Sequence, residues 1–411
     1  MAELLLVLWI LGLLLSFSGV GWMLYKKSKS APPPSPPQPS LRVRGSGTGA
    51  YQSPSAAEPK DGAADRRDKA AGSWPPHGPS YQGEPSYAVV RIFYATDRRR
   101  TWQEAPALLY GTERSSGGKL MLGTCDVSIP RDHKLGELEH PSIWKLEIRE
   151  DPEKHVVLLR ITPDDESVFW KKLADRVSAS SRRAVFVFVH GYDTTFEDAA
   201  RRTAQIAYDL GFDGAPICYS WPSYGQLADY AKDENNVQWT IPHLKNFLLQ
   251  LTNQFHVRTI HVIAHSMGNR AVSHALQLLG AGDTTRRIHM QHIILAAPDI
   301  DADTFRELAD DVEAVAERVT LYISPVDRAL ALSKRFHGNP RLGESVSIIQ
   351  GIDMIDASGV DTSFIGHSYY ADNRSVLSDI FWLLKEGRPP QDRFGMKAVD
   401  HGDGTYYAFR P

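Results

Sequence analysis

Cysteine is scarce in this chain: Cys125 and Cys218 are the only two, each within an apolar run and without C-x-x-C spacing. That excludes a dense disulfide framework and leaves two unpaired core thiols as the expectation. An excess of either charge is missing as well. Forty-six lysines and arginines stand against 49 acidic residues, a formal net charge of -3. No basic stripe runs along the chain, so nucleic acid is not an expected partner. There is no internal repeat, and no motif for a metal, nucleotide or phosphate, so no metal and no cofactor are expected.

What is present starts with an apolar segment. Leu4 to Tyr25 (LLLVLWILGLLLSFSGVGWMLY) carries no charge and is long enough to cross a bilayer as a helix. Cleaved signal peptides have a positive leading region and a shorter apolar core, and this run has neither. Residues 1–27 are therefore expected to be an uncleaved single-pass membrane anchor; the lack of a nearby cysteine excludes a lipoprotein anchor. Lys26, Lys27 and Lys29 follow, which predicts a cytoplasmic location for the rest of the chain, with the periplasmic or extracytoplasmic side as the alternative. Residues 28–86 are rich in Pro, Ser, Gly, Ala and charge, too poor in apolar surface to offset the entropy of ordering. They are expected to be a disordered linker, extended at the proline block Ala31 to Pro39. A spacer accounts for that block, a ligand for a protein partner being the other use; no partner is identified.

Globular patterning fills residues 87–411. Strands are predicted at Ala88 to Thr96, Gly123 to Ile129, Trp144 to Arg149 and His155 to Ile161. After them comes Val185 to Val189, apolar at every position, as suits a central parallel strand buried on both faces. Further strands at Ala215 to Trp221, Thr259 to Ala264, His289 to Ala297, Val319 to Ser324 and Ser345 to Ile352 alternate with helical patterns. This predicts an α/β class: a mostly parallel central sheet, antiparallel at its start, with helices on both faces, as in an α/β-hydrolase fold.

One stretch carries the chemistry. Thr259 to Asn269 reads TIHVIAHSMGN, close to the G-x-S-x-G turn that lifts a nucleophilic serine between a strand and a helix. Ala264 and Gly268 occupy the two positions where bulk would clash. A serine hydroxyl needs a base and oxyanion donors to act. The earlier strand ends in His190-Gly191-Tyr192-Asp193, making the amides of Tyr192 and Met267 the candidate oxyanion hole. His190 fits a structural histidine better than the base, because in this topology the partners follow the serine as acid, then histidine. Asp327, just past a strand, and His367, after Gly366, satisfy that order. Ser266, Asp327 and His367 are thus the candidate triad. Asp299 and Asp301 are alternative acids whose competing roles are loop solvation and helix capping.

The blocks Phe93 to Arg98 (FYATDR), Val189 to Tyr192 (VHGY), Tyr219 to Pro222 (YSWP), Ala264 to Gly268 (AHSMG), Ser324 to Leu330 (SPVDRAL) and Gly366 to Tyr369 (GHSY) resemble, in order, a family of bacterial α/β hydrolases of unknown function. The resemblance spans Tyr87 to Leu384 and implies an esterase- or lipase-like serine hydrolase with no cofactor. The resemblance implies no substrate; acyl-transfer chemistry at a serine makes a small-molecule ester or lipid the expectation, with amides and thioesters open to the same chemistry. The contrasting expectation is a catalytically idle module that binds a partner at the membrane. Residues 222–241 are expected as a cap insertion. There Trp221, Tyr224, Tyr230 and Trp239 either line a substrate pocket or pack the insertion onto the sheet.

Overall fold

The first strand, β1 (Tyr87–Thr96), leads into a short ribbon of β2 (Arg98–Arg100) against β3 (Tyr110–Arg114), and then to β4 (Met121–Pro130) and β5 (Val157–Asp164). β4 runs antiparallel between β1 and β5. From there strand and helix alternate: α1 (Glu166–Ser178), β6 (Ala184–Val189), α2 (Phe196–Asp209), β7 (Gly214–Ser220), α3 (Tyr230–Thr252), β8 (Thr259–His265), α4 (Gly268–Gly280), β9 (Met290–Ala296), α5 (Ala302–Ala314), β10 (Ala316–Ile323), β11 (Ile352–Asp356) and α6 (Arg374–Glu386). A hairpin of β12 (Met396–His401) and β13 (Gly404–Phe409) follows. This computed structural model describes residues 86–141, 149–225, 229–281, 289–324, 340–344, 346–358 and 374–410.

Eleven strands join in one sheet, ordered β12-β13-β11-β10-β9-β8-β6-β7-β1-β4-β5. Neighbours from β1 to β11 through the centre are parallel, while the β1-β4-β5 side and the β12-β13 hairpin are antiparallel. β6 lies between β7 and β8, so the chain leaves it in one direction for β7 and returns past it to β8. Loops at the carboxyl ends of β6 and β8 therefore adjoin at the point where strand order reverses, the place where open α/β sheets bind ligands.

The sheet is covered on both faces, and β6 at its centre is apolar at every position. Val185, Val187 and Val189 pack with Phe169, Leu173, Leu244, Phe247, Val272 and Phe305, from α1, α3, α4 and α5. Ala184, Phe186 and Phe188 point the other way, to Ile206, Leu210, Val376 and Ile380 of α2 and α6. The period-two alternation of side-chain direction thus serves two cores from one run of six residues. Cys125 and Cys218 are free, buried thiols on the strands flanking β1.

Two expectations need amendment. The strand placed at Ser345 to Ile352 is instead Ile352–Asp356; Val346 and Ile349 pack against the core from the segment before it. The described part of the expected cap, 222–241, holds the first half of α3, with Val237 and Ile241 in the main core. Its helical period is concealed because Asp233, Asn236 and Thr240 hold buried positions on the same helix. Those polar groups are bonded inward, to Tyr224, Pro222 and Asp97. Of the predicted strand at Trp144 to Arg149, all but Arg149 lies outside the described residues.

Candidate active site

Ser266 stands between β8 and α4 with its backbone in the left-handed region, at φ 48°. A side-chain-bearing residue is held there at a cost of roughly 1–3 kcal/mol, and such strain gathers at functional sites. The surroundings impose it. The Ser266 amide donates to the Ala296 carbonyl at 3.0 Å, and its own carbonyl accepts from the amides of Asn269 (3.1 Å) and Asp299 (3.2 Å). The buried Asn269 side chain donates through Nδ2 to the carbonyls of Ser266 (2.8 Å) and Ala296 (3.0 Å), tying the turn to the end of β9.

Two glycines let the neighbouring loop close on this turn. A Cβ on Gly268 would run into the backbone carbonyls of Val189 and His190. A Cβ on Gly191 would sit 2.9 Å from Ser266 Cβ and 3.0 Å from His265 Nδ1. The chain leaving β6 therefore passes directly against the serine. Met267 precedes the first turn of α4, where amide groups and the helix dipole favour developing negative charge. Tyr192 follows Gly191 on the opposing loop. The two candidate oxyanion residues thus belong to different segments, Met267 next to Ser266 and Tyr192 next to the Gly191 that packs on it.

His190 is fully committed to the scaffold. Its Nδ1 donates to the Gly191 carbonyl at 2.7 Å, and Nε2 lies 3.2 Å from Ser220 Oγ. Its ring stacks on Trp221 at 5.0 Å, and Trp221 Nε1 donates to the His190 carbonyl at 2.8 Å. Burial, reinforced by the nearby Arg98 guanidinium, pushes the imidazole down to about 3, so it is neutral under ordinary conditions. It has the structural role that its place in the chain suggested.

Arg98, unrecognised by sequence reasoning, is 0% exposed. Its Nε donates to Ser220 Oγ (2.8 Å), one Nη to the Ser223 carbonyl (2.8 Å) and the Gly111 carbonyl (3.2 Å), the other to the Thr194 carbonyl (2.7 Å). Opposite, Asp233 of α3 accepts from the amides of Asp193 (3.2 Å) and Tyr224 (2.8 Å) and from Ser223 Oγ. The adjacent Asp97 carboxylate gathers Thr240, His243 and Tyr219. The sequence signal was the charged pair closing FYATDR, which reads as a solvated strand end until it is found buried.

The alternative acids have other partners. The Asp299 carboxylate accepts from Tyr230 Oη (2.6 Å) and Arg270 (3.2 Å) and pairs with Arg341 (3.3 Å). Asp301 caps α5, accepting from the Thr304 amide at 2.8 Å. Asp327 and His367 lie outside the described residues. The strand leading toward Asp327, β10, ends on the same rim as Ser266: His265 is in register with Ala296, and Ala296 with Tyr322.

The four aromatics, for which pocket lining and packing were both open, lie in different surroundings. Trp221 is 0% exposed beneath the His190 loop. Tyr230 sits in the Asp299–Arg270 network and edges onto Tyr192 at 5.3 Å. Tyr224 faces a separate 470 Å³ cavity with Arg114, Lys232 and Asn236, which neither Ser266 nor Met267 lines. Trp239 packs on His243, with the Arg114 guanidinium over its ring. Trp221 and Tyr230 both touch the loop after β6, the first at His190 and the second at Tyr192. Among the described residues, no group of three or more His, Cys, Asp or Glu is placed to hold a metal.

Comparison with known proteins adds two findings. A family described as "Alpha/beta hydrolase of unknown function (DUF900)" matches residues 165–384, from before β6 to the end of α6. An uncharacterized protein of Nostoc sp., alr1448, is 38% identical over 63 residues, 15% of this chain and 16% of that protein. The chain therefore spans well under two thirds of that relative.

Proposed function

The chain belongs to that DUF900 family of α/β hydrolases, and from this premise we propose that it is a membrane-anchored serine hydrolase cleaving carboxylic esters. The observation that carries the proposal is the left-handed Ser266 between β8 and α4, with the Gly191 loop packed on its Cβ. Asp193 and Ala297, which follow β6 and β9, share the left-handed backbone; at Ser266 it is joined to a hydroxyl and to a small residue on either side of the turn, the arrangement of a nucleophile turn.

In this mechanism Ser266 Oγ attacks the ester carbonyl carbon while His367 takes its proton. The negative oxygen of the tetrahedral intermediate is met by the amides of Tyr192 and Met267. Collapse expels the alcohol, which recovers the proton from His367, and leaves an acyl-serine. Water, deprotonated by the same histidine, then releases the acid. Asp327 holds the imidazole in the required tautomer; the commitment of Asp299 to Arg270, Arg341 and Tyr230 favours Asp327 for this role. No cofactor enters. The substrate is a small ester or lipid, consistent with a chain whose residues 4–25 anchor it at a bilayer with the catalytic domain on the cytoplasmic side. Among the described residues no helix is long and apolar enough to cross a membrane, so the anchor rests on that segment alone.

A fluorophosphonate probe tests the chemistry. Covalent labelling of the full-length chain that vanishes in Ser266→Ala is the expected outcome. Absence of labelling in folded wild-type protein refutes the hydrolase assignment and leaves an idle partner-binding module. Extraction of membranes with alkaline carbonate tests the anchor: release of the protein into the supernatant counts against it.

A further inference from the structure

We infer that Arg98 and Asp233 form a buried brace that sets the position of the oxyanion loop, making Arg98 a positioning residue for the reaction at Ser266. This rests on the hydrolase proposal above and adds the device that holds one half of its oxyanion hole.

Two loops must be placed together: residues 190–195 after β6, which bring Gly191 to Ser266, and residues 221–225 after β7. Neither has a ladder partner beyond its strand. The guanidinium of Arg98 collects acceptors from both, the carbonyl of Thr194 at 2.7 Å and that of Ser223 at 2.8 Å. The carboxylate of Asp233 collects donors from the same two loops, the amides of Asp193 at 3.2 Å and Tyr224 at 2.8 Å. Ser223 Oγ joins the halves, accepting from the Thr194 amide at 3.1 Å and donating to Asp233.

A second line runs from Arg98 toward the serine. Arg98 Nε donates to Ser220 Oγ, which lies 3.2 Å from His190 Nε2; His190 Nδ1 in turn donates to the Gly191 carbonyl. A neutral His190 with its proton on Nδ1 makes each step a donor meeting an acceptor. Gly191 is the residue whose Cα abuts Ser266.

Arg98 makes no ion pair among the described residues, and its charge is met mainly by carbonyls and by Asp233 across Ser223. Such a buried cation is a costly way to hold a scaffold that apolar packing would hold as well. A planar fork reaching three carbonyls and a hydroxyl in fixed directions is what a point-like ammonium cannot supply. The brace therefore acts on loop geometry, where about 1 Å of misplacement changes rate by about a hundredfold.

The test uses the full-length chain with Arg98→Lys, Arg98→Met and Asp233→Asn. Three readouts are taken: the rate of fluorophosphonate labelling at Ser266, kcat and KM on p-nitrophenyl butyrate, and amide hydrogen exchange. The expected result for Arg98→Lys is a kcat about 10- to 100-fold lower with KM changed less than twofold. Exchange quickens in segment 190–195 and not in β8 or β9. Arg98→Met falls further, and Asp233→Asn shifts the same quantities in the same direction. Folded Arg98→Lys with kcat within twofold of wild type, or with faster exchange spread across the sheet, overturns the inference while leaving the Ser266 assignment intact. If wild-type protein labels nowhere, the hydrolase proposal falls, and with it the catalytic meaning of the brace. The exchange pattern then decides only whether the brace holds the loop.

Discussion

Replacing Gly191 with alanine probes the site through a single methyl group. Gly191 has no positive φ, so alanine meets no backbone penalty there, and the whole effect comes from contact. The new Cβ would lie 2.9 Å from Ser266 Cβ and 3.0 Å from His265 Nδ1. Carbon atoms rest at about 3.5–4.0 Å, so the serine and loop must part by roughly 0.6 Å or more. Overpacking of that kind costs about 1–3 kcal/mol of stability, which a domain of this size survives. The catalytic cost is steeper. Displacement of this order separates Tyr192 from the point where the oxyanion forms, and about 1 Å is worth about a hundredfold in rate. We expect Gly191→Ala to label with a fluorophosphonate 10- to 100-fold more slowly than wild type while melting cooperatively. Gly402→Ala serves as the control, since a Cβ there meets nothing within 4 Å. A folded Gly191→Ala protein that labels at the wild-type rate would show that the loop after β6 does not bound the reacting centre.

The acid can be assigned by comparing two isosteres. Asp327→Asn is expected to lower kcat by about 10⁴ with little change in melting temperature. Asp299→Asn instead weakens the charge that Arg270 and Arg341 face, destabilising the fold by up to about 3–5 kcal/mol and sparing kcat in the protein that remains folded; the reverse pattern would move the acid to Asp299. Stability should fall below neutral pH partly through His292, which stacks on His261 at 5.1 Å and is lowered to about 4 by burial and by Arg318 and Arg393. The unfolded chain binds that proton below pH 6.5, so stability drops between pH 6.5 and about 4, by about 3 kcal/mol for this group. Denaturant melts of His292→Leu should show a shallower acid limb, and an unchanged limb refutes the assignment. His133 works in the opposite direction. Burial disfavours its charge, but hydrogen bonds to Asp209 (2.8 Å) and Glu139 (2.9 Å) outweigh it and raise the imidazole to about 9. Its contribution, at most about 3 kcal/mol, is complete below pH 6.5 and disappears as pH rises through 9. The stability gap between wild type and His133→Gln should therefore close by pH 10.

The parts legible in the chain were those written locally. AVFVFV is apolar at every position, and no placement other than a strand covered on both faces suits it. Ser266 announced itself by small residues before and after it, and Gly268 proves to be required by the carbonyls of Val189 and His190. The first half of α3 was illegible for a physical reason. Asp233, Asn236 and Thr240 occupy its inward side and satisfy themselves on Tyr224, Pro222 and Asp97, so the buried face shows no continuous apolar stripe where the helix is core. The aromatics around it left both uses open, because a tryptophan lining a pocket and one stacked under a histidine are identical in sequence.

By itself, then, the sequence determined the alternation of strand and helix, the central place of β6, and the serine at the turn, since each depends on periodicity or on neighbours a few residues away. Only the tertiary structure decided that Arg98 is buried, that Asp233 answers it from α3, and that Gly191 lies against Ser266. Those contacts join segments far apart in the chain. A charged side chain carries no local mark of whether water or a ring of carbonyls will surround it.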